Sequence, residues 1–276
     1  MIKVFTLNIW AYAEPYTERM QLIRDWVEEE KPDLLAFQEA GFREGADQIR
    51  DLLAGLDYHI FHQLDDDRGE QNEGTCIASR WPINKKTVCS LMLSPNSMGY
   101  PYAAIAVRIE APEPIGGFLF VCSKPSWELN REYERELQAL KVVKLIEDET
   151  NAADFPTILA GDFDAVANSA SVRFLKGKQS LDGHSTHYLD AWEQAGDGTE
   201  GFTWTYENES ARGIIDACIR QKNHARRIDY VFLASPHVHA KAALIENCRV
   251  VLNKAVNGVW PSDHFGVCAE IDLMGS

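Results

Sequence analysis

The stretch that most restricts what this chain can become is Pro156 to Asp164, Pro-Thr-Ile-Leu-Ala-Gly-Asp-Phe-Asp. Thr157 to Ala160 is apolar, long enough for a buried strand and too short for a helix, and it stops at Gly161 and two carboxylates. Glycine lets the backbone turn sharply or approach a ligand closely, so such a strand delivers Asp162 and Asp164 to a sheet edge, where sites are commonly built. Two residues apart on an extended chain, they point to one side. A solvated turn is the competing reading, since Gly and Asp are ordinary turn formers. The rest of the chain decides between them.

Other strand ends repeat the pattern. Ile2 to Leu7 is apolar and β-rich and ends in Asn8, and Asp33 to Phe37 ends in Gln38-Glu39. Between them Tyr16, Met20, Ile23 and Val27 recur at helical spacing, with Thr17 as an N-cap and Pro32 beyond the end. A second helix is predicted over Glu44 to Ala54, then a strand at Tyr58 to His62 and an acidic loop around Asp65, Asp66 and Asp67. Thr75 to Ser79, Val88 to Leu93, Tyr102 to Ile109 and Phe118 to Cys122 read as strands without intervening helices, which favours antiparallel sheet. Arg131 to Glu149, with Leu137, Leu140, Val143 and Ile146 on one face, is the longest helix. Beyond the central stretch, Val172 to Leu175 and Tyr188 to Gln194 read as short helices and Gly201 to Tyr206 as strand-like. Arg227 to Leu233 carries Asp229 near the start of a strand, and a last strand, Phe265 to Ile271, follows Ser262-Asp263-His264.

With 276 residues and 45% hydrophobic content, no linker and no low-complexity tract, one domain over 1–276 is expected. The formal charge of -15 repels polyanions at long range and disfavours nucleic acid as a partner unless positive charge is focused locally. The N-terminal residues lack the basic leader and apolar core of a signal peptide, and no apolar run approaches the roughly 18 residues of a membrane span. The 6 cysteines contain no C-x-x-C pair and read as reduced core thiols of a cytoplasmic protein.

Collected, the strand-end residues are Asn8, Glu39, Asp162, Asp164, Asp229, Asp263 and His264. Oxygen ligands dominate, which suits Mg²⁺ or Mn²⁺ better than zinc, and a hard metal beside a histidine suggests phosphate chemistry. In order along the chain, Thr6-Leu7-Asn8-Ile9-Trp10, Gln38-Glu39, Ser79-Arg80-Trp81-Pro82-Ile83, Gly161-Asp162-Phe163-Asp164, Arg227-Ile228-Asp229-Tyr230 and Ser262-Asp263-His264 resemble the endonuclease/exonuclease/phosphatase superfamily of DNase I-like nucleases, sphingomyelinases and inositol polyphosphate phosphatases. The resemblance implies an α/β (α+β) fold, a four-layer sandwich of two mainly antiparallel sheets packed face to face and flanked by helices. It implies Glu39 as principal metal ligand with Asn8 and Asp263 nearby. Asp162 would position or deprotonate the attacking water, and His264, oriented by Asp229, would contact the phosphate or act as general base.

Two positions depart from that pattern. The superfamily usually has Asn where this chain has Asp164, and an ionised carboxylate cannot donate to a phosphoryl oxygen as an amide does. It also has a His or Tyr at the end of the strand that here reads Phe120-Val121-Cys122-Ser123-Lys124-Pro125. Ser123 and Lys124 are the candidates for that place, and the Lys-Pro-Ser exit from the strand favours Ser123. The resemblance therefore implies a metal-dependent phosphoesterase acting on a phosphodiester of a small or lipid-derived substrate. A nuclease, and an impaired member that binds a phosphorylated ligand without turnover, are the alternatives.

Other clusters carry less. The pairs His59 and His62, His184 and His187, and His237 and His239 lack a third ligand at a recognisable spacing and are expected to be surface or core residues. Arg226-Arg227, with Arg220 and Lys222 upstream, could face a phosphate or lie in an exposed loop. Trp10, Trp81, Trp127, Trp204 and Trp260 could line a groove or close a core.

Overall fold

A computed structural model describes residues 1–43, 45–65, 71–151, 154–235, 239 and 241–273. Glu44, Asp66, Asp67 and His237, named above in a helix, a loop and a histidine pair, lie outside the described residues. In chain order the elements are β1 (Ile2–Asn8), α1 (Tyr16–Glu30), β2 (Leu34–Arg43), β3 (Ala46–Asp47), α2 (Gln48–Leu52), β4 (His59–His62), β5 (Glu73–Ser79), β6 (Ile83–Ser90), β7 (Ala103–Glu110), β8 (Gly117–Lys124) and α3 (Glu132–Glu149). They continue as β9 (Ile158–Asp162), α4 (Ala170–Leu175), β10 (Tyr188–Asp190), α5 (Ala191–Ala195), β11 (Trp204–Thr205), α6 (Arg212–Cys218), β12 (Ala225–Arg226), β13 (Asp229–Ala234), β14 (Ala243–Val251) and β15 (Gly266–Leu273).

One large sheet has the order β14-β15-β1-β2-β5-β4 with β3 paired to β2, the other large sheet has the order β10-β13-β9-β8-β7-β6, and β11 and β12 form a small two-stranded sheet. Pairing is antiparallel except for β1 with β2 and β8 with β9. Each parallel pair is joined through a helix, α1 or α3, because a parallel return needs a crossover too long for a turn. Period-two alternation then sorts the side chains into layers. Val4, Ala36, Ile105, Phe120, Ala160 and Val267 fill the space between the sheets. Phe5, Leu7 and Phe37 turn outward onto Ile23 and Val27 of α1 and Ile49 of α2. Val121, Leu159 and Phe232 turn the other way, onto Val143 and Ile146 of α3 and Val172 of α4. The result is the expected four-layer sandwich.

Local differences have local causes. α1 begins after Pro15 with no side-chain cap, so Thr17 lies inside the helix instead of capping it. α2 is shortened because Ala46 and Asp47 pair with β2, and Asp47 then caps the helix by accepting from the Ile49 and Arg50 amides. Tyr188 to Gln194 divides: β10 pairs with β13, and Asp190 accepts from the Trp192 amide to start α5. β14, an edge strand whose exposed positions are Leu244 and Glu246, was not anticipated. Cys76, Cys89, Cys122, Cys248 and Cys268 are buried as expected, whereas Cys218 is exposed on α6. Among the described residues no helix is long and apolar enough to cross a membrane.

Candidate active site

Strand direction brings the polar ends together. Because β1 runs parallel to β2 and β8 parallel to β9, Asn8, Lys124 and Asp162 all leave the sheets at one edge. β13 runs antiparallel to β9 and starts there, with Asp229 opposite Asp162. β15 runs antiparallel to β1, so Asp263 and His264, just before it, reach the same edge. A bulge between Phe37 and Ala40 lifts Glu39 out of the ladder with a φ of 54°, and Asp164 follows β9 with a φ of 50°. Two non-glycine residues in the left-handed region at one edge are what a site holding its side chains against local preference shows.

The contacts form one network. Asn8 Nδ2 donates to Glu39 Oε1 at 2.8 Å and to Asp162 Oδ2 at 3.0 Å, while Asn8 Oδ1 accepts from the Trp10 amide at 3.1 Å. The amide thus orients two carboxylates with its NH₂ face, and its oxygen is taken by the backbone. Lys124 Nζ donates to Asp162 Oδ2 and Asp164 Oδ2, both at 2.5 Å, and lies 3.4 Å from Glu39 Oε1. The Asp164 amide donates to Asp162 Oδ1 at 3.0 Å. His264 sits between acids, with Nδ1 3.1 Å from Asp229 Oδ2 and Nε2 3.9 Å from Asp162 Oδ2. Ser262 Oγ donates to the Asn8 carbonyl at 2.6 Å, tying the Asp263-His264 loop to β1.

Ser123 does not join them. Adjacent strand residues face opposite sides; Lys124 lines the cavity at this edge, whereas Ser123 faces a small void bounded by Arg135, Gln138 and Phe163 under α3. The preference for Ser123 from the strand exit is corrected accordingly, because β8 continues in register through Lys124, opposite Ala103 of β7. Among the weaker signals, Arg226 lines the cavity and donates to the Asp164 carbonyl at 2.8 Å, while Arg227 is buried against Asp190 at 2.8 Å. Trp10, Trp127 and Trp204 line the cavity, Trp81 packs on the core between the sheets, and Trp260 stacks on Phe265. His62 is buried with Nε2 3.2 Å from the Ala40 carbonyl, a structural role. Two neighbours were missed. Arg19 is fully buried and holds the carbonyls of Pro261, Ala13 and Ile9, which fixes the loops carrying Trp10 and Asp263. It reads in sequence as an ordinary helical arginine, so no pattern marks it. Tyr100 lines the cavity from a loop without periodicity.

Charge is unbalanced here. Burial and the negative charge of Glu39 push the Asp263 carboxyl up to about 6, and burial does the same for Asp229 against the pull of His264. Burial and neighbouring Asp162 also raise Asp164, whereas Asp162 itself, though buried, is held down to about 2 by Lys124 and His264. Burial opposes the charge on His264, yet Asp229 and Asp162 keep the imidazole protonated well above its ordinary range. Lys124 is likewise held charged by Asp162, Asp164 and Glu39 despite complete burial. Burial is the leading cause for each raised carboxyl, and a cation bound beside these groups would favour their charged forms. The donors are mostly carboxylate oxygens, so Glu39 and Asp263, both lining the cavity, fit a hard divalent ion. Asp162, Asp229 and His264 also present three ligand atoms within 4.8 Å of one another, a second group that could hold a cation, although His264 Nδ1 and Asp229 Oδ2 there already meet at 3.1 Å.

The sequence pattern of the endonuclease/exonuclease/phosphatase family matches residues 5–264. The chain belongs to this family. Its members are generally divalent-metal-dependent phosphoesterases. Solved structures agree on the fold. TDP2 of D. rerio, complexed with a single-strand DNA product, superposes with a TM-score of 0.75 at 18% identity over 98% of each chain. The human Nocturnin catalytic domain with bound sulfate gives 0.71 at 20% identity over 99% of this chain and 93% of the other. An endonuclease/exonuclease/phosphatase from Bacteroides vulgatus gives 0.70 at 17% identity over 99% and 98%. No curated protein sequence matches the chain.

Proposed function

We propose that this family member is a Mg²⁺- or Mn²⁺-dependent phosphodiesterase of a small or lipid-derived substrate. The observation that carries the reading is the two-sided cavity of about 350 Å³, whose floor is Glu39, Lys124, Asp164, Asp263 and His264 and whose wall is Trp10, Tyr100, Trp127, Leu129, Trp204 and Ile214. A charged floor suits one phosphate, and an apolar wall suits a substrate body with apolar surface. Trp127, Leu129 and Ile214 stay exposed at the rim instead of closing a core. The most buried cation on this cavity, Lys124, is neutralised by carboxylates, and with a net charge of -15 on the chain this leaves, among the described residues, only His264 and Arg226 at the cavity to meet phosphate, fewer charges than a polyanion track requires.

Glu39 and Asp263 would hold the metal, with Asn8 fixing the Glu39 carboxylate. When bound, the ion supplies neutralisation of charge on the phosphoryl oxygens. Asp162, with a carboxylate near 2, is a weak proton acceptor, so its part is to orient water by accepting a hydrogen bond. His264, held protonated and oriented through Nδ1 by Asp229, presents Nε2 as a donor to a phosphoryl or leaving oxygen. Lys124 places positive charge where the family has His or Tyr, compensating for an Asp164 that cannot donate.

A panel of phosphomonoesters, apolar phosphodiesters, phospholipid headgroups and oligonucleotides, run with Mg²⁺ and Mn²⁺ and with chelator, tests this. Apolar phosphodiesters should be turned over only with metal, and Glu39→Gln should lower the rate by about two orders of magnitude or more. Full activity of Glu39→Gln at low Mg²⁺ would remove the metal assignment. Oligonucleotide hydrolysis faster than that of every small diester at physiological salt would make the protein a nuclease instead.

A further inference from the structure

We infer that the Lys124 ammonium is a built-in cation that fills a second cation position of this site, so that the protein takes at most one divalent ion, at Glu39 and Asp263. The inference adds to the reading above and rests on it only for that ion.

Lys124 Nζ is met by three carboxylate oxygens from two segments, Asp162 and Asp164 at and just beyond the end of β9 and Glu39 on the β2 bulge, at 2.5, 2.5 and 3.4 Å. This is the donor type and convergence that a hard cation would take. The side chain is 4% exposed, so the ammonium does not visit the site from solvent but is part of its floor. Both departures from the family pattern meet here. Asp164 in place of an amide adds one negative charge, Lys124 in place of a neutral His or Tyr adds one positive charge, and the two groups touch. They read as one compensated change. A dication entering between Asp162 and Asp164 would meet the ammonium at contact distance, where like charges repel strongly in a buried setting.

Glu39 can still serve an ion on its far side. Asn8 Nδ2 at 2.8 Å and Lys124 Nζ at 3.4 Å both approach Glu39 through Oε1, and Asp263 lines the same cavity and adds negative charge there. The site is thus divided: an ammonium on the Asp162/Asp164 side and a place for one metal on the Glu39/Asp263 side.

The test is Mn²⁺ stoichiometry by equilibrium dialysis and electron paramagnetic resonance, without substrate, on the full chain and on Lys124→Met. One ion in the parent and two in Lys124→Met is expected, with the second ion weakened at least tenfold by adding Asp164→Asn. No ion in the parent and one in Lys124→Met would support the ammonium's role while removing the metal from the proposed function. Two ions in the parent, or the same number in parent and variant, would overturn the inference and leave the phosphodiesterase reading standing wherever one ion is bound. If Lys124→Met unfolds because three carboxylates lose their partner, Lys124→Met/Asp164→Asn removes most of that repulsion, and failure of this folded double variant to take an additional ion even at Mn²⁺ about a hundredfold above the concentration that fills the parent overturns the inference equally.

Discussion

Replacing Gly161 by Ala should damage fold and site together, for a reason visible in the backbone. Gly161 pairs with Ser123 across the parallel β8–β9 ladder, and a Cβ built on it falls 2.1 Å from the Ser123 carbonyl oxygen. Real Cβ contacts essentially never fall below 3.0 Å, so the strands must part by 3.0 − 2.1 = 0.9 Å. The obstacle is main chain and has no rotamer to change. Overpacking a core costs about 1–3 kcal/mol, and a rigid backbone clash belongs at the upper end, about 3 kcal/mol. At roughly 2–4 °C per kcal/mol, the thermal midpoint should fall by about 6–12 °C. Lys124 and Asp162 directly follow the clashing pair, and a displacement near 1 Å of a site group can lower turnover about a hundredfold. Gly213, inside α6 with nothing within 4 Å of its would-be Cβ, is the control. Gly213→Ala should be neutral or stabilise by up to about 1 kcal/mol. Urea unfolding followed by tryptophan fluorescence and a thermal scan measure both. A midpoint for Gly161→Ala within about 2 °C of the parent, at unchanged urea dependence, would refute the claim that these strands cannot part.

His264→Ala and Asp229→Asn should each impair diester turnover, and the double variant should be little slower than His264→Ala, since groups acting as a unit are non-additive; multiplying losses would show Asp229 working by another route. Ser123→His should not raise turnover and should cost about 1–3 kcal/mol of stability in urea, because the ring must enter the small void beside Arg135, Gln138 and Phe163; a faster enzyme would return Ser123 to the site. Burial and Glu39 lift the Glu73 carboxyl from 4.5 to about 7 against the pull of Lys124. The folded state therefore binds this proton more tightly than the unfolded state, and stability falls as pH rises from about 4.5 to about 7. Discounted for partial exposure, Glu73→Gln should gain about 1–2 kcal/mol over the parent at pH ~8 with chelator present and almost nothing at pH ~4; equal effects at both would show that Glu73 does not titrate in this window.

What the sequence determined by itself was the set of strand ends and their chemistry. Apolar runs stopping at Asn8, Glu39 and Asp162 are local patterns, and burial of a run with a polar residue delivered at its end follows from the same short stretch of chain. The family resemblance followed because such motifs keep their order. Tertiary structure decided which of those ends face one another and which neighbours matter. Ser123 against Lys124 turned on one residue of register, and strand alternation flips every side chain when register moves by one; only the pairing of β8 with β7 and β9 settles it. Arg19 became a clamp because the loops around Ala13 and Pro261 close over it, a contact across 242 positions of chain that no local pattern encodes. The union of Lys124 with Asp164 has the same origin. Each was visible in the sequence as a separate departure, and their compensation exists only where β8 and β9 end side by side.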